Sequence, residues 1–355
     1  MWPFSKPQNF LGVDIGSNGI KLVELQKKGK HAYLFTYGFS DKNLLAKEGD
    51  GFLEIEATSS LLKQVSQKAK TVSKTALASL PASSVYSALL TIPSLKKEDK
   101  IAFINRQVEK LIPLPLKEVV IDWKPVKRFD KNKNKPQIED KIKIETEEIF
   151  FTAAPKKIIA AYVEIFRKAG LTLLSLESEP LALASSLIGK DLTPILVIDM
   201  GARQTDFLLV ERGVPVLFHT LKIGGVSFTQ IVQKTFGVEE KEAEQIKRDL
   251  KNEKKFPAIF TETVSPMVEA IRYIFELYGK QKENVSARPE KIILTGGSSL
   301  LPHLDSHLGE IFSLKTYLGD PWARVIYAEE LKPVLDSVGP RFATALGLAL
   351  KKIEG

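Results

Sequence analysis

Two segments of the chain, separated by about half its length, follow the same pattern. Residues 10–17 and 195–202 are each an apolar run of β-strand type that carries Asp-x-Gly near its end, and each precedes a second apolar strand, at 20–25 and 205–210. One Asp-x-Gly is a common turn, but two hairpins built alike indicate an internal duplication. The pattern therefore predicts an α/β core made of two related halves.

The two turns also have the chemistry of a phosphate site. Small residues let the backbone N–H groups of a turn approach phosphate oxygens, and an aspartate at a strand end can hold hydrated Mg²⁺. Asp14 and Asp199 are therefore our candidate metal ligands. The candidate phosphate-binding residues of the two turns are Gly16, Ser17, Asn18, Gly201, Ala202 and Thr205.

Lys21 strengthens the assignment of the first turn. It lies seven residues after Asp14 and starts the return strand, where an ammonium group can reach back to the β- and γ-phosphates. The alternative is an exposed strand lysine. In the second hairpin, Thr205 and Asp206 stand at the corresponding offset, and Arg203 is an extra cation that faces either phosphate or water.

A third segment extends the pattern toward a nucleotide. Residues 291–300 predict a buried strand that runs into a Gly-Gly turn, and Pro302 suits the start of the helix that follows. A glycine pair lets a purine or an α-phosphate lie against bare backbone. Alone, this motif is usually a loop. Its order after the two Asp-Gly hairpins makes Gly296, Gly297 and Ser298 candidate nucleotide contacts.

With these loops in this order, the chain resembles the actin-like ATPase superfamily over nearly all of its 355 residues. The resemblance narrows to the family of type IV pilus assembly proteins called PilM, relatives of the cell-division protein FtsA. Its most specific signal is Ile-Pro-Leu-Pro-Leu at 112–116, and one departure is Asn18-Gly19, where small hydroxyl or branched residues are usual. The segments that carry the resemblance are 14–17 with Lys21, 109–119, 169–171, 179–184, Gly224-Gly225 and 343–349.

The resemblance implies an α/β, actin-like (ribonuclease H-like) two-domain ATPase fold with an inserted small α+β subdomain of SHS2-like type. The insertion is expected to bind a partner. The expected boundaries are a flexible tail at 1–8, a first domain at 9–83 plus 168–191, the insertion at 84–167, and a second domain at 192–355 with a helical subdomain at about 226–290 and a C-terminal helix at 338–355.

Patterns within the insertion support a small core of its own. Strands are predicted at 86–92, 119–123 and 148–152, and the charged 127–145 connection between the last two is predicted to be a solvated hairpin tip. One apolar helix face, ended by the two prolines of 112–116, has the 3-4-3 spacing of Ile101, Ile104, Val108 and Leu111. We expect a short extended peptide to add to a strand edge, near the apolar side chains of Ile112, Leu114 and Leu116.

The resemblance also implies roles for further residues. Glu179 corresponds to the acid of the connecting helix that orients the attacking water or a metal ligand, and the alternative is a helix cap. Glu244 and Lys247 stand one helical turn apart, where relatives contact the ribose, and a surface ion pair is the alternative. Gly224 and Gly225 complete the candidate nucleotide contacts.

By the same resemblance, the chain binds ATP with Mg²⁺ and has at most weak ATPase activity. It would lie at the cytoplasmic face of the inner membrane and recruit the cytoplasmic N-terminal tail of a PilN-like protein, in a groove between the first domain and the insertion. Other pilus-machine proteins are further expected partners. Three alternatives stay open, and one of them, a chaperone, would require a substrate-binding region after the ATPase. An FtsA-like cell-division or cytoskeletal ATPase should end in an amphipathic membrane-binding helix, and a small-molecule kinase of this clan normally has a longer chain.

The amino-acid composition excludes several classes of protein and of binding site. The chain is 44% hydrophobic and 26% charged, which is ordinary for a globular protein, and its length exceeds one comfortable core. It has no cysteine, which excludes disulfides and cysteine-based metal sites. No apolar run approaches the roughly 20 residues of a membrane span and no secretory leader is evident, so we expect a cytoplasmic protein that is peripheral to the membrane. The net charge of +8 is mild, and we expect no nucleic-acid partner.

Overall fold

The structure is a computed structural model, and part of the chain lies outside its described residues. Among the predicted features, residues 1–7 of the tail, Ser17 of the first turn and the 127–145 connection lie outside them. None of the described helices is both long enough and apolar enough to cross a membrane. The described residues are 8–16, 18–41, 54–126, 146–250, 253–282 and 284–354.

The described strands and helices follow a mixed α/β order. The strands are β1 (Gln8–Gly16), β2 (Gly19–Lys28), β3 (His31–Ser40), β4 (Thr75–Leu80), β5 (Tyr86–Pro93), β6 (Val119–Val126), β7 (Thr146–Pro155), β8 (Thr172–Ser178), β9 (Ile195–Met200), β10 (Thr205–Glu211), β11 (Val214–Leu221), β12 (Lys291–Thr295), β13 (Lys315–Leu318) and β14 (Val325–Ile326). The helices are α1 (Ile55–Lys68), α2 (Lys97–Leu111), α3 (Lys156–Ala169), α4 (Glu179–Leu187), α5 (Gly225–Phe236), α6 (Glu240–Asp249), α7 (Thr261–Gln281), α8 (Leu304–Phe312), α9 (Lys332–Val338) and α10 (Ala343–Glu354).

The chain divides into two compact units: a larger one of residues 1–81 with 161–355, and a smaller one of residues 82–160. The larger unit holds two sheets with the same internal arrangement. Their strand orders are β14-β3-β2-β1-β4-β8 and β11-β10-β9-β12-β13. In each sheet, three antiparallel strands lead to a parallel one, β4 beside β1 and β12 beside β9. The shared arrangement confirms the predicted duplication.

The C-terminal helix α10 packs on the first sheet, although it follows the second sheet along the chain. Leu346 and Ala349 of α10 share one buried cluster with Val23 and Leu25 of β2. An apolar helix of this kind is stable only where its buried face meets another apolar surface. The first sheet supplies that surface.

The second sheet is covered by α5, α7 and α8. Phe228, Met267, Ile271 and Leu308 lie in one buried cluster with the apolar side chains of β9, β10 and β12. The sequence predicts a helix at 263–278 that ends at Gly279, whereas Gly279 lies inside helix α7. A Cβ on Gly279 would stand 3.1 Å from the carbonyl oxygen of Asn284.

The smaller unit is an antiparallel sheet of order β5-β7-β6 with helix α2. The predicted apolar face of α2 is confirmed at its centre, where Ile104 and Val108 are buried in the unit's core. Its outer positions are exposed: Ile101 by 46% and Leu111 by 55%. Ile112, which was expected at the surface, is only 7% exposed, because it turns into the core just after α2 ends.

Candidate functional site

The two Asp-x-Gly hairpins place their aspartates at equivalent positions of the two sheets. In the first hairpin Asp14 lies directly opposite Lys21, and in the second Asp199 lies directly opposite Asp206. Each aspartate stands near the carboxyl end of a central strand. The counterpart of Lys21 in the second hairpin is therefore an acid, and the two halves differ in charge where they match in backbone.

Asp14 is buried and has two polar neighbours. Lys21 Nζ lies 3.4 Å from Asp14 Oδ2, and the Ser79 hydroxyl donates to Asp14 Oδ1 over 3.4 Å. A Cβ on Gly16 would stand 3.0 Å from Lys21 Nζ, so the ammonium group lies against the turn. Asn18 is exposed at the tip of the hairpin. Lys21 is thus held at the first turn by a carboxylate, and its charge is available there to an arriving anion.

Asp199 lies close to two other carboxylates, whose negative charges repel its own. Removal from solvent raises its pKa to about 7, and the negative charges of Asp206 and Asp14 add to this rise, while Lys21 opposes it. Asp14 and Asp199 therefore lie close enough to repel each other, although they belong to different sheets. Two carboxylates in this arrangement favour a cation between or beside them.

Asp206 is satisfied within the protein. Burial raises its pKa, but hydrogen bonds from Thr220 and Gln204 oppose the rise. The Thr220 hydroxyl donates to Oδ1 over 2.6 Å, and the Gln204 amide donates to Oδ2 over 2.8 Å. Both carboxylate oxygens of Asp206 are occupied in this way. Asp206 contributes mainly its charge to the site.

Two other predicted nucleotide-contact segments are joined by hydrogen bonds to the second turn. The Gly201 carbonyl accepts from the Gly225 N–H over 3.0 Å and from the Ser298 hydroxyl over 2.9 Å. The Ala202 carbonyl accepts from the Val226 N–H over 2.8 Å. The second turn, the start of α5 and the Gly-Gly loop after β12 therefore form one hydrogen-bonded wall.

Two glycines, Gly224 and Gly296, let the segments of this wall pack closely because they have no side chain. A Cβ on Gly224 would stand 2.7 Å from the Ala202 carbonyl carbon and oxygen. A Cβ on Gly296 would stand 2.2 Å from Asp199 Oδ1, and the φ of Gly296 is +84°. Only glycine has both the conformation and the missing side chain that Gly296 requires. The loop after β12 thus approaches the candidate metal ligand directly.

Glu244 and Lys247 form a partly buried cluster with α5. Lys247 Nζ lies 2.6 Å from Glu244 Oε1, and it donates to the Thr229 hydroxyl over 2.8 Å and to the Gly225 carbonyl over 3.3 Å. Burial acts to raise the pKa of Glu244, but hydrogen bonds from Lys247 and Thr229, with nearby positive charge, lower it on balance. The pair is therefore attached to the second-turn wall and is more than an isolated surface ion pair.

Thr205 and Arg203 lie in different environments. Thr205 is buried, and its hydroxyl donates to the Ile223 carbonyl over 2.7 Å, so its proton is already engaged. Arg203 is exposed. Ser17 lies outside the described residues, and its assignment stays a prediction.

Glu179 is the first residue of α4, and Ser178 precedes it as the N-cap residue. The interpretation of Glu179 as an N-cap is therefore wrong by one position. Its partly buried carboxylate has another relation: the charges of Glu179 and Asp14 both act on the hydroxyl of Tyr162. Glu179 thus shares its surroundings with the first candidate metal ligand.

Two residues near the site were not predicted. Tyr162 lies on α3, which shows only the apolar spacing of a packing helix. Arg341 follows the second sheet, and its side chain lies 3.6 Å from where a Cβ on Gly297 would stand. The Arg341 guanidinium also lies 4.6 Å from the centroid of the Phe39 ring and pairs with Asp41. The only sequence signal was its place in Gly-Pro-Arg just before α10.

The residues present fit a cation that arrives with a phosphate group. No group of three His, Cys, Asp or Glu side chains that could hold a metal occurs within the described part of the chain. Mg²⁺ commonly takes one or two carboxylates and completes its shell with substrate phosphates and water. Asp14 and Asp199, beside the bare backbone of Gly296, match that requirement.

Two duplicated sheets that carry phosphate-type turns at equivalent strand ends define an actin-like ATPase fold, which implies nucleotide binding. The family model described as "Type IV pilus assembly protein PilM" matches residues 12–353. The chain therefore belongs to the PilM family of type IV pilus assembly proteins.

Comparison with solved structures agrees with this assignment. A "PilM-PilN type IV pilus biogenesis complex" superposes with a TM-score of 0.79 at 25% identity, over 98% of this chain and 99% of that one. MreB5 of Spiroplasma citri bound to ADP shares the fold, with a TM-score of 0.52 at 14% identity over 98% and 97% of the two chains.

The relation to FtsA is distant. The cell-division protein FtsA of Streptococcus pneumoniae is 23% identical over 354 residues, which cover 88% of this chain and 75% of that protein.

Proposed function

We propose that this protein is an ATP- and Mg²⁺-binding component of the type IV pilus assembly machinery. In this role it recruits the cytoplasmic N-terminal tail of a PilN-like protein at the cytoplasmic face of the inner membrane. The observation that carries the nucleotide part is the meeting of Asp14 and Asp199 beside the Gly296 backbone. Family membership and the likeness to a PilM–PilN complex support the partner part.

The proposed site has three parts. Asp14 and Asp199 would hold the hydrated cation, which supplies charge neutralisation at the phosphates when bound. Lys21 adds a point charge beside the first turn. The proposed phosphate contacts are Gly16, Ser17, Asn18, Gly201, Ala202 and Thr205, and the proposed adenosine-side contacts are Gly224, Gly225, Glu244, Lys247, Gly296, Gly297 and Ser298.

Glu179 is proposed to orient water near the terminal phosphate. The negative charges of Glu179 and Asp14 both raise the pKa of Tyr162, which supports a position for Glu179 near the phosphate end of the site. Replacement by alanine should slow any hydrolysis more than it weakens ATP binding. The proposed activity is weak at most, because positioning a partner requires nucleotide binding and not rapid turnover.

The smaller unit is proposed to bind the peptide tail. Strand β5 pairs only with β7 among the described strands, and it carries no charged residue along its length. Strand β6, at the other edge, carries Lys124 and Pro125, which disfavour the pairing of another strand. The edge of β5 is therefore better suited to the addition of an extended peptide, with the exposed Ile101 and Leu111 as apolar contacts.

Thermal unfolding tests the nucleotide part. At ATP about 100-fold above Kd with Mg²⁺, binding to the native state adds about 2.7 kcal/mol to the free energy of unfolding, which shifts Tm by several degrees. K21A and D14A should each reduce that shift. K291A is a matched control, because Lys291 also pairs with an aspartate, Asp191, in a strand of the second sheet. A wild-type protein with no ATP-dependent shift would refute the proposal.

A further inference from the structure

Arg341 is attached to the Gly-Gly loop of the candidate site. The carbonyl of the preceding residue, Pro340, accepts from the Thr295 hydroxyl over 2.9 Å and from the Gly296 N–H over 3.0 Å. A Cβ on Gly297 would stand 3.6 Å from the Cγ and Nε atoms of Arg341. The backbone and the side chain of Arg341 therefore both lie against this loop, which approaches the second candidate metal ligand.

The Arg341 guanidinium also reaches the first sheet, where it lies 4.6 Å from the centroid of the Phe39 ring. Phe39 of β3 lies directly opposite Lys21 of β2, and Lys21 lies directly opposite Asp14 of β1. Residues directly opposite each other in antiparallel strands have their side chains on the same face, with Cβ atoms about 4.5 to 5.5 Å apart. The guanidinium therefore lies over the side chain next to Lys21, in the row that begins with the first candidate metal ligand.

The partner of the Arg341 guanidinium is the carboxylate of Asp41. Asp41 lies beside the first phosphate-type turn, because a Cβ on Gly19 would stand 3.2 Å from the Asp41 Cα atom. The Arg341 side chain is 21% exposed and the Asp41 side chain is 49% exposed. An anion from solution can therefore reach this ion pair, and the carboxylate can leave it for water.

We propose that Arg341 is a nucleotide-binding residue, whose guanidinium pairs with Asp41 without nucleotide and exchanges that carboxylate for phosphate oxygens when nucleotide binds. This inference deepens the proposed function and rests on it. A guanidinium suits the position because its planar set of N–H donors matches the oxygens of a phosphate group. The exchange makes Asp41 a built-in competitor of the nucleotide, so the two partners of one ion pair have opposite effects on affinity.

Two substitutions in the full chain test this exchange, by calorimetric titration with Mg²⁺ and a non-hydrolysable ATP analogue. R341Q should raise the Kd about tenfold or more, since hydrogen bonds to a charged group are lost. D41N should lower the Kd about twofold to fivefold, because the competing carboxylate is gone. An ion pair with only a structural role would give the same direction of change in both variants, since either substitution breaks it.

The double variant separates exchange from a general effect of charge. In D41N/R341Q the Kd should equal that of R341Q alone, because Asp41 acts through the guanidinium. A gain that came only from less negative charge near the site would persist in the double variant. Thermal unfolding without nucleotide shows that each variant is folded, and each single substitution should lower Tm by about 2 °C or less, because the ion pair is partly exposed.

R324Q and E354Q are the matched controls. Arg324 Nη1 lies 2.8 Å from Glu354 Oε1, and this ion pair is exposed to a similar degree. Arg324 also packs on a glycine, since a Cβ on Gly189 would stand 3.6 Å from its guanidinium carbon. Neither control should change the Kd of the ATP analogue by more than about twofold.

The possible results divide clearly. If R341Q binds the ATP analogue as the wild type does, Arg341 is not a nucleotide contact. If D41N leaves the affinity unchanged or weakens it, or if its gain persists in the double variant, the exchange is wrong. Each of these results overturns this inference alone, whereas a wild-type protein that does not bind the nucleotide overturns the proposed function as well.

Discussion

Asp199 is a residue whose position in the candidate site lowers the stability of the fold. Its carboxylate is desolvated beside Asp206 and Asp14, and its pKa rises to about 7. A protein selected for stability alone would replace one of these acids with a neutral residue, because like charges in a desolvated cluster oppose folding. The repulsion among these carboxylates is consistent with a site that a bound cation and phosphate complete.

The raised pKa of Asp199 predicts how stability depends on pH. Between the ordinary value of 3.8 and about 7, the folded protein holds a proton that the unfolded chain has released. The protonated form of Asp199 therefore favours folding. Its contribution to the free energy of unfolding is complete below pH 3.8 and is lost as pH rises through 7. D199N keeps the shape and removes the charge. Without nucleotide at pH 8, it should raise the free energy of unfolding by up to about 4 kcal/mol.

Chemical denaturation at several pH values between 5 and 8 measures this difference, which should grow with pH. Asp191 supplies a control of opposite sign. Hydrogen bonds from Lys291 and Thr193 lower its pKa to about 2, so its contribution is present above 3.8 and D191N should destabilise the protein at pH 8. If D199N destabilises as D191N does, the repulsion assigned to Asp199 is absent.

At the scale of elements, the contact of α10 with β1 and α4 depends on two glycines. A Cβ on Gly12 would stand 2.0 Å from the carbonyl oxygen of Ala345, and one on Gly347 would stand 1.9 Å from that of Ala182. Both neighbours are backbone atoms and cannot rotate away. The close approach lets the C-terminal helix fill the core of the first sheet, which carries Asp14.

G347A should therefore destabilise the protein by about 1 to 3 kcal/mol or more, because α10 must move away from α4. G309A in α8 is the control. A Cβ there would stand 3.3 Å from the Leu314 carbonyl oxygen, and the gain in helix propensity of up to about 1 kcal/mol offsets that contact. We expect little change for G309A in chemical denaturation. Equal stability of the two variants would show that α10 is not tightly packed against α4.

Elements with strong local signals could be predicted from the sequence. The hairpins around Asp14 and Asp199 were found because alternation of strand and Asp-x-Gly turn repeats, and the structure matches them strand for strand. Positions decided by tertiary packing were missed. Ile112 turns inward after α2, and Gly279 stays helical because its bare backbone packs against a neighbouring segment. No local pattern carries that information.

The residues of the candidate site fall into the same two groups, those identifiable from local sequence and those placed by the tertiary fold. Glycines and aspartates in turns could be identified because their chemistry is local to a few residues. Tyr162 could not, since an aromatic residue on an amphipathic helix looks like core until the partners of its hydroxyl are known. Arg341 lies far along the chain from Phe39 and Asp41, and only the fold brings these residues together.

At the scale of the whole molecule, both connections to the smaller unit run past the candidate site. The chain leaves the larger unit after Pro81, two residues beyond Ser79, whose hydroxyl donates to Asp14. It returns at Ala161, directly before Tyr162. Helix α3 is continuous through that return. We therefore propose that a change at the phosphate end of the site reaches both ends of the insertion through this covalent structure, as a physical route for coupling.

This route predicts that ATP and the partner tail change each other's affinity. Coupling between two binding sites is reciprocal, so ATP with Mg²⁺ should change the Kd of a synthetic tail peptide by the same factor as the peptide changes the Kd of ATP. We expect a factor of about 5 or more. Calorimetric titration of each ligand, with and without the other, measures both factors.

L111E should weaken peptide binding while ATP binding persists, because Leu111 is an exposed apolar residue of α2. V285E, which changes an exposed apolar residue of the larger unit, should alter neither. Identical peptide affinities with and without ATP would remove the nucleotide switch, and full peptide binding by L111E would refute the assignment of the peptide surface to α2.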